Sequence, residues 1–291
     1  MNDDQFDLDE TTLSVDLSNA TQAVKESRFE DAFNLLKVLL KENPDHIDIL
    51  YLSAVSTRFL KKFDDSRKHI EHLLFNAPDM GRAYQELGHL NRDIGNEEKS
   101  ITHYRQACEL NPALPASWNA LHKYFEKINN KPAADHALEQ IKKLQTLPGQ
   151  LLFIEQILNE GRLGLAETKC RAFLKENPTH TYAMSLLAEI ANRFGYFDDA
   201  EFLLQKAVEF KPKDGDLRLK YASILRKKQK FAQTTEQVDI LCNQFPDNLN
   251  YRAQKASDVM QGGDHAKAIT CLLYTSPSPR DATLARMPAS A

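Results

Sequence analysis

Six prolines set the organisation of this chain, because they recur at one spacing. They are Pro44, Pro78, Pro112, Pro178, Pro212 and Pro246. Within the first three and within the last three, neighbours are 34 residues apart. A proline cannot continue an α-helix, so each one marks a place where a helix has just ended. A fixed period of this length is typical of stacked two-helix units.

A repeat that ends just beyond each of these prolines divides the chain into eight copies. They start at Leu13, Ile47, Gly81, Pro115, Leu147, Thr181, Gly215 and Leu249. The twentieth residue of each copy is small: Ala32, Ser66, Ser100, Ala134, Ala166, Ala200, Thr234 and Ala268. The eighth residue is small in six copies, at Ala20, Ala54, Gly88, Ala188, Ala222 and Ala256. Antiparallel helices approach closely only where side chains are small, so these two positions are predicted to meet.

This pattern resembles the tetratricopeptide repeat family. Copy three carries the family's signature positions as Tyr84, Leu87, Gly88, Ser100, Tyr104, Ala107 and Pro112, and copy four adds Trp118 and Leu121. The resemblance covers roughly residues 13–270. It implies an all-α fold, a right-handed superhelical α-solenoid of about eight antiparallel helix pairs. It also implies a non-catalytic scaffold for protein–protein interaction that binds a peptide or an extended segment in a concave groove.

In this family the groove is lined by fixed positions of each first helix. The residues that fall on such positions here are Tyr51, Arg58, Arg82, Gln85, His89, Arg92, Asn119, Lys123, Tyr182, Asn192, Arg193 and Arg226. Copies two to four contribute the most positive charge, which favours an acidic peptide as the ligand. The alternative interpretation is that these side chains are solvated on exposed faces.

Chaperone-binding members of the family hold a C-terminal carboxylate with Lys and Asn four residues apart. Copy one has Leu17 and Thr21 at those places, and copy four has Asn119 and Lys123 in the reverse order. We therefore expect no binding of heat-shock chaperones.

Composition and motifs exclude several other functions. The chain has 37 Lys and Arg against 41 Asp and Glu, which disfavours nucleic acid as a partner. It has no phosphate-binding, nucleophile-elbow or zinc-protease motif, and its four cysteines form no C-x-x-C pair. We therefore expect no catalytic residue, no cofactor and no metal site. Without a secretory signal or a long apolar stretch, we expect a cytoplasmic protein that does not bind membranes.

A second resemblance gives an alternative function. The segments 183–204, 221–228 and 246–252 are similar to bacterial proteins in which tetratricopeptide repeats precede a sulfotransferase domain. Such domains use 3′-phosphoadenosine 5′-phosphosulfate. The resemblance implies that this chain is the non-catalytic N-terminal recruitment region of a truncated enzyme. No catalytic residue carries over to any position here.

The repeat is predicted to be irregular in its middle. His122 and Ile154 replace the small eighth residue in copies four and five, and copy five begins two residues early, at Leu147. We expect a local distortion near residues 122–155, which either repacks the joint or forms a hinge.

Both ends depart from the repeat. Residues 1–12 are acidic and lack periodicity, so we expect a disordered or loosely docked arm. The repeat array is predicted to run over residues 13–271. Residues 272–291 resemble a translated sequencing-adapter read-through, and we expect the natural chain to continue differently beyond about Cys271. The alternative is a genuine Ser- and Pro-rich tail. An array cut short there has no cap, which predicts self-association through its C-terminal end.

Overall fold

The computed structural model describes the backbone of residues 3–263, and the side chains of Leu13 and of residues 15–263. All regular structure in this range is α-helical, in fifteen helices. The chain divides into two compact units, one ending at Gly161 and the other beginning at Arg162. The predicted second helix of copy eight and the tail of residues 272–291 lie outside the described residues, and so does the face predicted to self-associate.

Unit 1 contains nine of these helices. They are α1 (Asp3–Lys25), α2 (Phe29–Glu42), α3 (Ile47–Phe59), α4 (Phe63–Asn76), α5 (Gly81–Asp93), α6 (Glu97–Leu110), α7 (Pro115–Lys127), α8 (Lys131–Gln145) and α9 (Gly149–Asn159). The first eight pack as consecutive pairs, and the second helix of each of the first three pairs also contacts the next pair. This is a stack of helical hairpins, which confirms the predicted all-α repeat architecture for this unit.

Unit 2 contains the other six helices. They are α10 (Leu163–Glu176), α11 (Thr181–Phe194), α12 (Phe197–Phe210), α13 (Gly215–Lys227), α14 (Phe231–Gln244) and α15 (Leu249–Gln261). Helix α11 pairs with α12 and α13 with α14, and each helix also packs against the next one in the chain. No helix in the described part of either unit is long and apolar enough to cross a membrane.

The helix starts follow the period of the prolines. Six predicted copy starts are the first residue of a helix, from Ile47 and Gly81 in unit 1 to Leu249 in unit 2. Helix α1 is the difference at the N-terminal end. It begins at Asp3 and not at Leu13, so the helix extends into the segment predicted to be an arm.

Small residues join the two helices in copies two and three, as the sequence predicts. The Ser66 hydroxyl donates a hydrogen bond to the carbonyl of Ala54 at 2.9 Å. The Ser100 hydroxyl donates to the carbonyl of Gly88, also at 2.9 Å. Residue 20 is buried in each of the first seven copies, while Ala268 lies outside the described residues. These contacts set the distance at which the helices pack.

Copy four accommodates its larger eighth residue through a hydrogen bond. The Nδ1 atom of His122 lies 3.1 Å from the carbonyl oxygen of Ala134, the twentieth residue of the same copy. Because a carbonyl oxygen only accepts, Nδ1 is the donor. Residues 8 and 20 are therefore also hydrogen-bonded in copy four, but here the donor side chain belongs to the first helix and not to the second.

The first helix of copy five begins two residues after the predicted start of that copy. Helix α9 begins at Gly149, which is 34 residues after Pro115, and not at the predicted Leu147. It has 11 residues, whereas α3, α5 and α7 have 13 each. Pro148 explains the start, because a proline restricts the residue before it to extended conformations. Leu147, the predicted start of copy five, therefore lies in the connection between α8 and α9.

The turn after the first helix of every copy contains a left-handed residue at position 15. Glycine occupies this position in four copies, at Gly95, Gly161, Gly195 and Gly263. The other four copies place Ser27, Lys61, Asn129 and Gln229 there, with φ between 55° and 60°. A side chain at such φ values is strained, so the turn geometry is imposed by the packing of the helices on either side.

Candidate functional site

Four predicted groove residues line one pocket in unit 1. They are His89 and Arg92 on α5, and Asn119 and Lys123 on α7. The pocket has a volume of about 570 Å³. Its walls are completed mainly by Ile101, Tyr104, Tyr124 and Lys127. We call this site the α5–α7 pocket.

Two cations at the α5–α7 pocket remain available to a ligand. The Lys123 ammonium is exposed and contacts no carboxylate within the described part of the chain. Arg92 is also exposed, and its Nε and Nη2 atoms donate to Asp93 Oδ1 at 3.1 and 3.0 Å, so that Nη1 is the part of its guanidinium without a partner among the described residues. Lys127, in contrast, donates to both oxygens of Glu97 at 2.7 Å. The positive charge presented by the pocket therefore comes from Lys123 and Arg92.

His89 contributes polarity to the pocket and no charge at neutral pH. Its Nδ1 lies 2.6 Å from the hydroxyl of Tyr104. Burial lowers the pKa of His89 to about 4, and the positive charges of Arg58 and Arg92 add to the effect. The imidazole and the phenol therefore form a neutral hydrogen-bonded pair on the wall.

Arg58 was predicted to line the groove, and the structure places it in the interior. Its side chain is 6% exposed. It pairs with Glu86, and its Nη1 donates to Asp93 at 2.8 Å. Its guanidinium also stacks 4.3 Å from the ring centre of Phe59. Arg58 thus joins copies two and three, and no ligand is needed to neutralise it.

Arg82, Tyr51 and Gln85 are also engaged within unit 1. Arg82 makes a two-pronged ion pair with Glu160 and lies 4.9 Å above the ring of Tyr51. Burial raises the pKa of Tyr51 to about 12, and the nearby Glu86 acts in the same direction. The amide oxygen of Gln85 accepts from the Ser117 hydroxyl at 3.0 Å. Tyr51 and Arg82 therefore form a second cluster with Glu160, and Gln85 lines neither this cluster nor the α5–α7 pocket among the contacts described.

The predicted groove residues of unit 2 take part in polar contacts that tie its helices together. Arg226 makes a two-pronged ion pair with the buried Asp258, at 2.5 and 2.9 Å. Asn192 donates to Glu189 and accepts from Lys227. Arg193 pairs with Glu189 at 3.0 Å, and Tyr182 is half-buried.

The sequence analysis missed an apolar pocket in unit 2. It has a volume of about 220 Å³ between α10, α11 and α12. Its lining includes Phe194, Tyr196 and Phe202, which are exposed, and the ion pair of Arg171 with Glu167. The run of aromatic residues after Arg193 is the sequence signal for this pocket. In the described part of the chain, no group of three His, Cys, Asp or Glu side chains is arranged to hold a metal ion.

The segment that contains α5 and α6 matches a known family model. Residues 81–114, which span both helices, match the family model of the tetratricopeptide repeat. The match covers 34 residues, which is one period of the repeat. The neighbouring pairs begin in the same frame, α3 at Ile47 and α7 at Pro115. The α5–α7 pocket therefore lies between the segment that matches this model and the helix pair that follows it.

The chain is also similar to a curated protein and to solved structures. It is 23% identical over 208 residues to DnaJ homolog subfamily C member 7 homolog of Dictyostelium discoideum, which aligns 69% of this chain with 35% of that protein. The chain thus spans about a third of that relative's length. It is 16% identical to the MamA protein, covering 69% of this chain and 93% of that one, with a TM-score of 0.38. It is also 16% identical to TTC0263, a thermophilic TPR protein of Thermus thermophilus, covering 85% and 99%, with a TM-score of 0.33.

Proposed function

We propose that this chain is a protein–protein interaction scaffold that binds an acidic peptide segment at the α5–α7 pocket. The single observation that carries the proposal is the exposed Lys123 at the rim, which has no carboxylate partner within the described residues. Carboxylates of this chain pair with the other predicted groove arginines, which are Arg58, Arg82, Arg193 and Arg226. The charge left for a partner is therefore concentrated at this pocket.

The pocket lining suits a peptide that combines a carboxylate with a flat or apolar side chain. Lys123 and Arg92 supply charge-assisted donors, which bind a carboxylate about twice as strongly as neutral donors do. Tyr124 and Ile101 supply apolar wall area between them. Asn119 uses its amide NH₂ to donate to the carbonyl of Pro115 at 2.8 Å, which leaves its amide oxygen as an acceptor for a peptide N–H.

Selection of random displayed peptides on the full chain tests this proposal. We expect the selected peptides to be enriched in Asp and Glu. Their affinity is expected to fall by about tenfold or more on Lys123→Glu, because the substitution replaces an attraction by a repulsion. Lys37→Glu is the matched control, because Lys37 is exposed on α2 and far in sequence from the pocket. Selected peptides without acidic residues, or equal affinity for both variants, would contradict the proposal.

The sulfotransferase alternative concerns a different part of the protein. It rests on the resemblance of segments within residues 183–252, and it stays a prediction. The sequence of the locus downstream of codon 271 tests it. A strand–loop–helix that binds the sulfate donor would support it, and further repeats would remove it.

A further inference from the structure

The C-terminal end of α9 is held by an arginine 78 residues away in the sequence. The Nε and Nη2 atoms of Arg82 donate to the two carboxylate oxygens of Glu160 at 2.5 and 2.7 Å. The two side chains are 12% and 3% exposed. A two-pronged pair of this kind fixes orientation as well as adding binding energy. Glu160 is thus recognised in the way that a binding site recognises the carboxylate of a ligand.

The connection between α6 and α7 recognises the same end of α9 through hydrogen bonds. The Asn111 amide donates to the main-chain oxygen of Gln156 at 3.1 Å. The Gln156 amide donates to the main-chain oxygen of Ala113 at 2.7 Å. Asn159 donates to the side-chain oxygen of Asn111 at 3.2 Å. Asn111 and Ala113 are buried, so these bonds satisfy polar atoms that water does not reach.

Helix α9 has the amphipathic pattern of a helix that lies in a groove. Leu151, Ile154, Ile157 and Leu158 are buried and share one face, while Phe153 is exposed on another side. Such anchors, three and four residues apart, are how an amphipathic helix binds in an apolar groove. Helix α9 therefore combines an apolar face with a polar end that carries the carboxylate of Glu160.

Both ends of α9 are marked as boundaries. Pro148 precedes its first residue, and Gly161 follows it with a φ of 76°. The division between the two compact units falls directly after Gly161. The helix is also two residues shorter than α3, α5 and α7. These features set α9 apart from the regular pairs that precede it.

We propose that Tyr51, Arg82, Asn111 and Ala113 form a helix-binding surface, the Arg82 surface, and that α9 is its resident ligand. The surface fits a short amphipathic helix that carries a glutamine and, four residues later, a carboxylate, as Gln156 and Glu160 do. A partner with this chemistry binds only when α9 leaves, so α9 competes with it. This inference is independent of peptide binding at the α5–α7 pocket, because the two sites share none of the residues that define them.

A labelled peptide of residues 149–161 tests whether the Arg82 surface accepts a helix in trans. The receptors are the full chain and its Gln156→Ala/Glu160→Ala variant, which weakens the docking of α9. We expect the variant to bind the peptide about tenfold or more tightly than the unmodified chain. Adding Arg82→Glu to the variant is expected to remove binding, and a peptide with Glu160→Arg is expected to restore it. Equal affinity for the first two receptors, or binding that survives Arg82→Glu, overturns the proposal.

Hydrogen exchange on the unmodified chain gives a test that does not depend on how the variants fold. If α9 leaves its surface, its amides exchange while α5 and α7 stay folded. We expect residues 150–160 to exchange about tenfold or more faster than the central amides of α5 and α7. Protection of α9 equal to or greater than that of α5 would show that the helix is a fixed part of the core, and would overturn the proposal. Lys37→Glu, at an exposed position on α2, is expected to change neither measurement.

Discussion

Gly88 and Tyr104 share one space where the two helices of copy three cross. A Cβ atom on Gly88 would lie 2.6 Å from the Cδ1 and Cε1 atoms of the Tyr104 ring. The ring is buried, and its hydroxyl meets His89 at the α5–α7 pocket. Copy one places Ala20 and Leu36 at the same two positions. The missing side chain of Gly88 is therefore what admits a tyrosine where another copy has leucine.

Gly88→Ala is expected to destabilise the chain by about 1 to 2 kcal/mol. Overpacking against the ring costs about 1 to 3 kcal/mol, and the higher helix propensity of alanine returns up to about 1 kcal/mol. Urea denaturation of the substituted chain measures the difference. The double variant Gly88→Ala/Tyr104→Leu reproduces the pair of copy one. Gly88→Ala should therefore cost much less stability in the Tyr104→Leu chain than in the original chain. A Gly88→Ala chain as stable as the original would show that the two residues do not compete for space.

Lys61→Gly is expected to stabilise the chain by about 0.5 to 1 kcal/mol. Lys61 has a φ of 59° in the turn between α3 and α4, where a residue with a side chain is strained by about 1 to 2 kcal/mol. Glycine removes this strain. It also increases the conformational entropy of the unfolded chain, which offsets part of the stabilisation. The midpoint of thermal unfolding reports the change. Lys37→Gly, within α2, is the control and should lower the midpoint.

Arg58→Met is expected to destabilise unit 1 by about 3 to 5 kcal/mol. The substitution leaves the buried carboxylate of Glu86 without its partner, and an uncompensated buried charge carries a penalty of this size. Asp93→Asn should cost much less, because Asp93 is partly exposed and also contacts Arg92. Chemical denaturation of both variants gives the comparison. A double variant with Glu86→Met as well should recover part of the loss, and no recovery would show that packing, not charge, dominates the effect of Arg58→Met.

The helix register was predictable because it depends on local chemistry. Prolines end helices and small residues mark where two helices cross, so the sequence placed the starts of α3 and α5 at Ile47 and Gly81. The left-handed turn residue was less visible. Gly95 signals it, but Lys61 adopts the same conformation without the residue type that normally reveals it. The turn could therefore be recognised only by comparing the same position across copies.

The groove was predicted only in part because position within a repeat does not determine what a side chain meets. Arg92 and Arg82 were both placed on the groove, and Arg92 does line a pocket. Arg82 instead meets Glu160, which is brought to it by the shortened α9. The sequence predicted that copy five begins two residues early, at Leu147, but it did not show that α9 begins at Gly149 and is shorter than α3, α5 and α7. Contacts over such separations depend on how the hairpins stack, which no single repeat encodes.

His89→Asn is expected to make the stability of the chain less sensitive to acid. Burial lowers the pKa of His89 to about 4 in the folded chain, whereas an unperturbed histidine titrates near ~6.5. The unfolded chain therefore binds an extra proton as the pH falls, so stability present above about pH 6.5 is lost between that pH and about 4. Between pH 7 and pH 5 the original chain should lose about 1 to 2 kcal/mol more than the variant. Urea denaturation of both proteins at both pH values measures this difference. The contributions of histidines that both proteins share, such as His69 and His103, cancel in the comparison. An equal loss in both proteins would show that the pKa of His89 is not lowered by folding. The ring would then be protonated in the folded chain at pH 5, and its bond to Tyr104 would not require the neutral form.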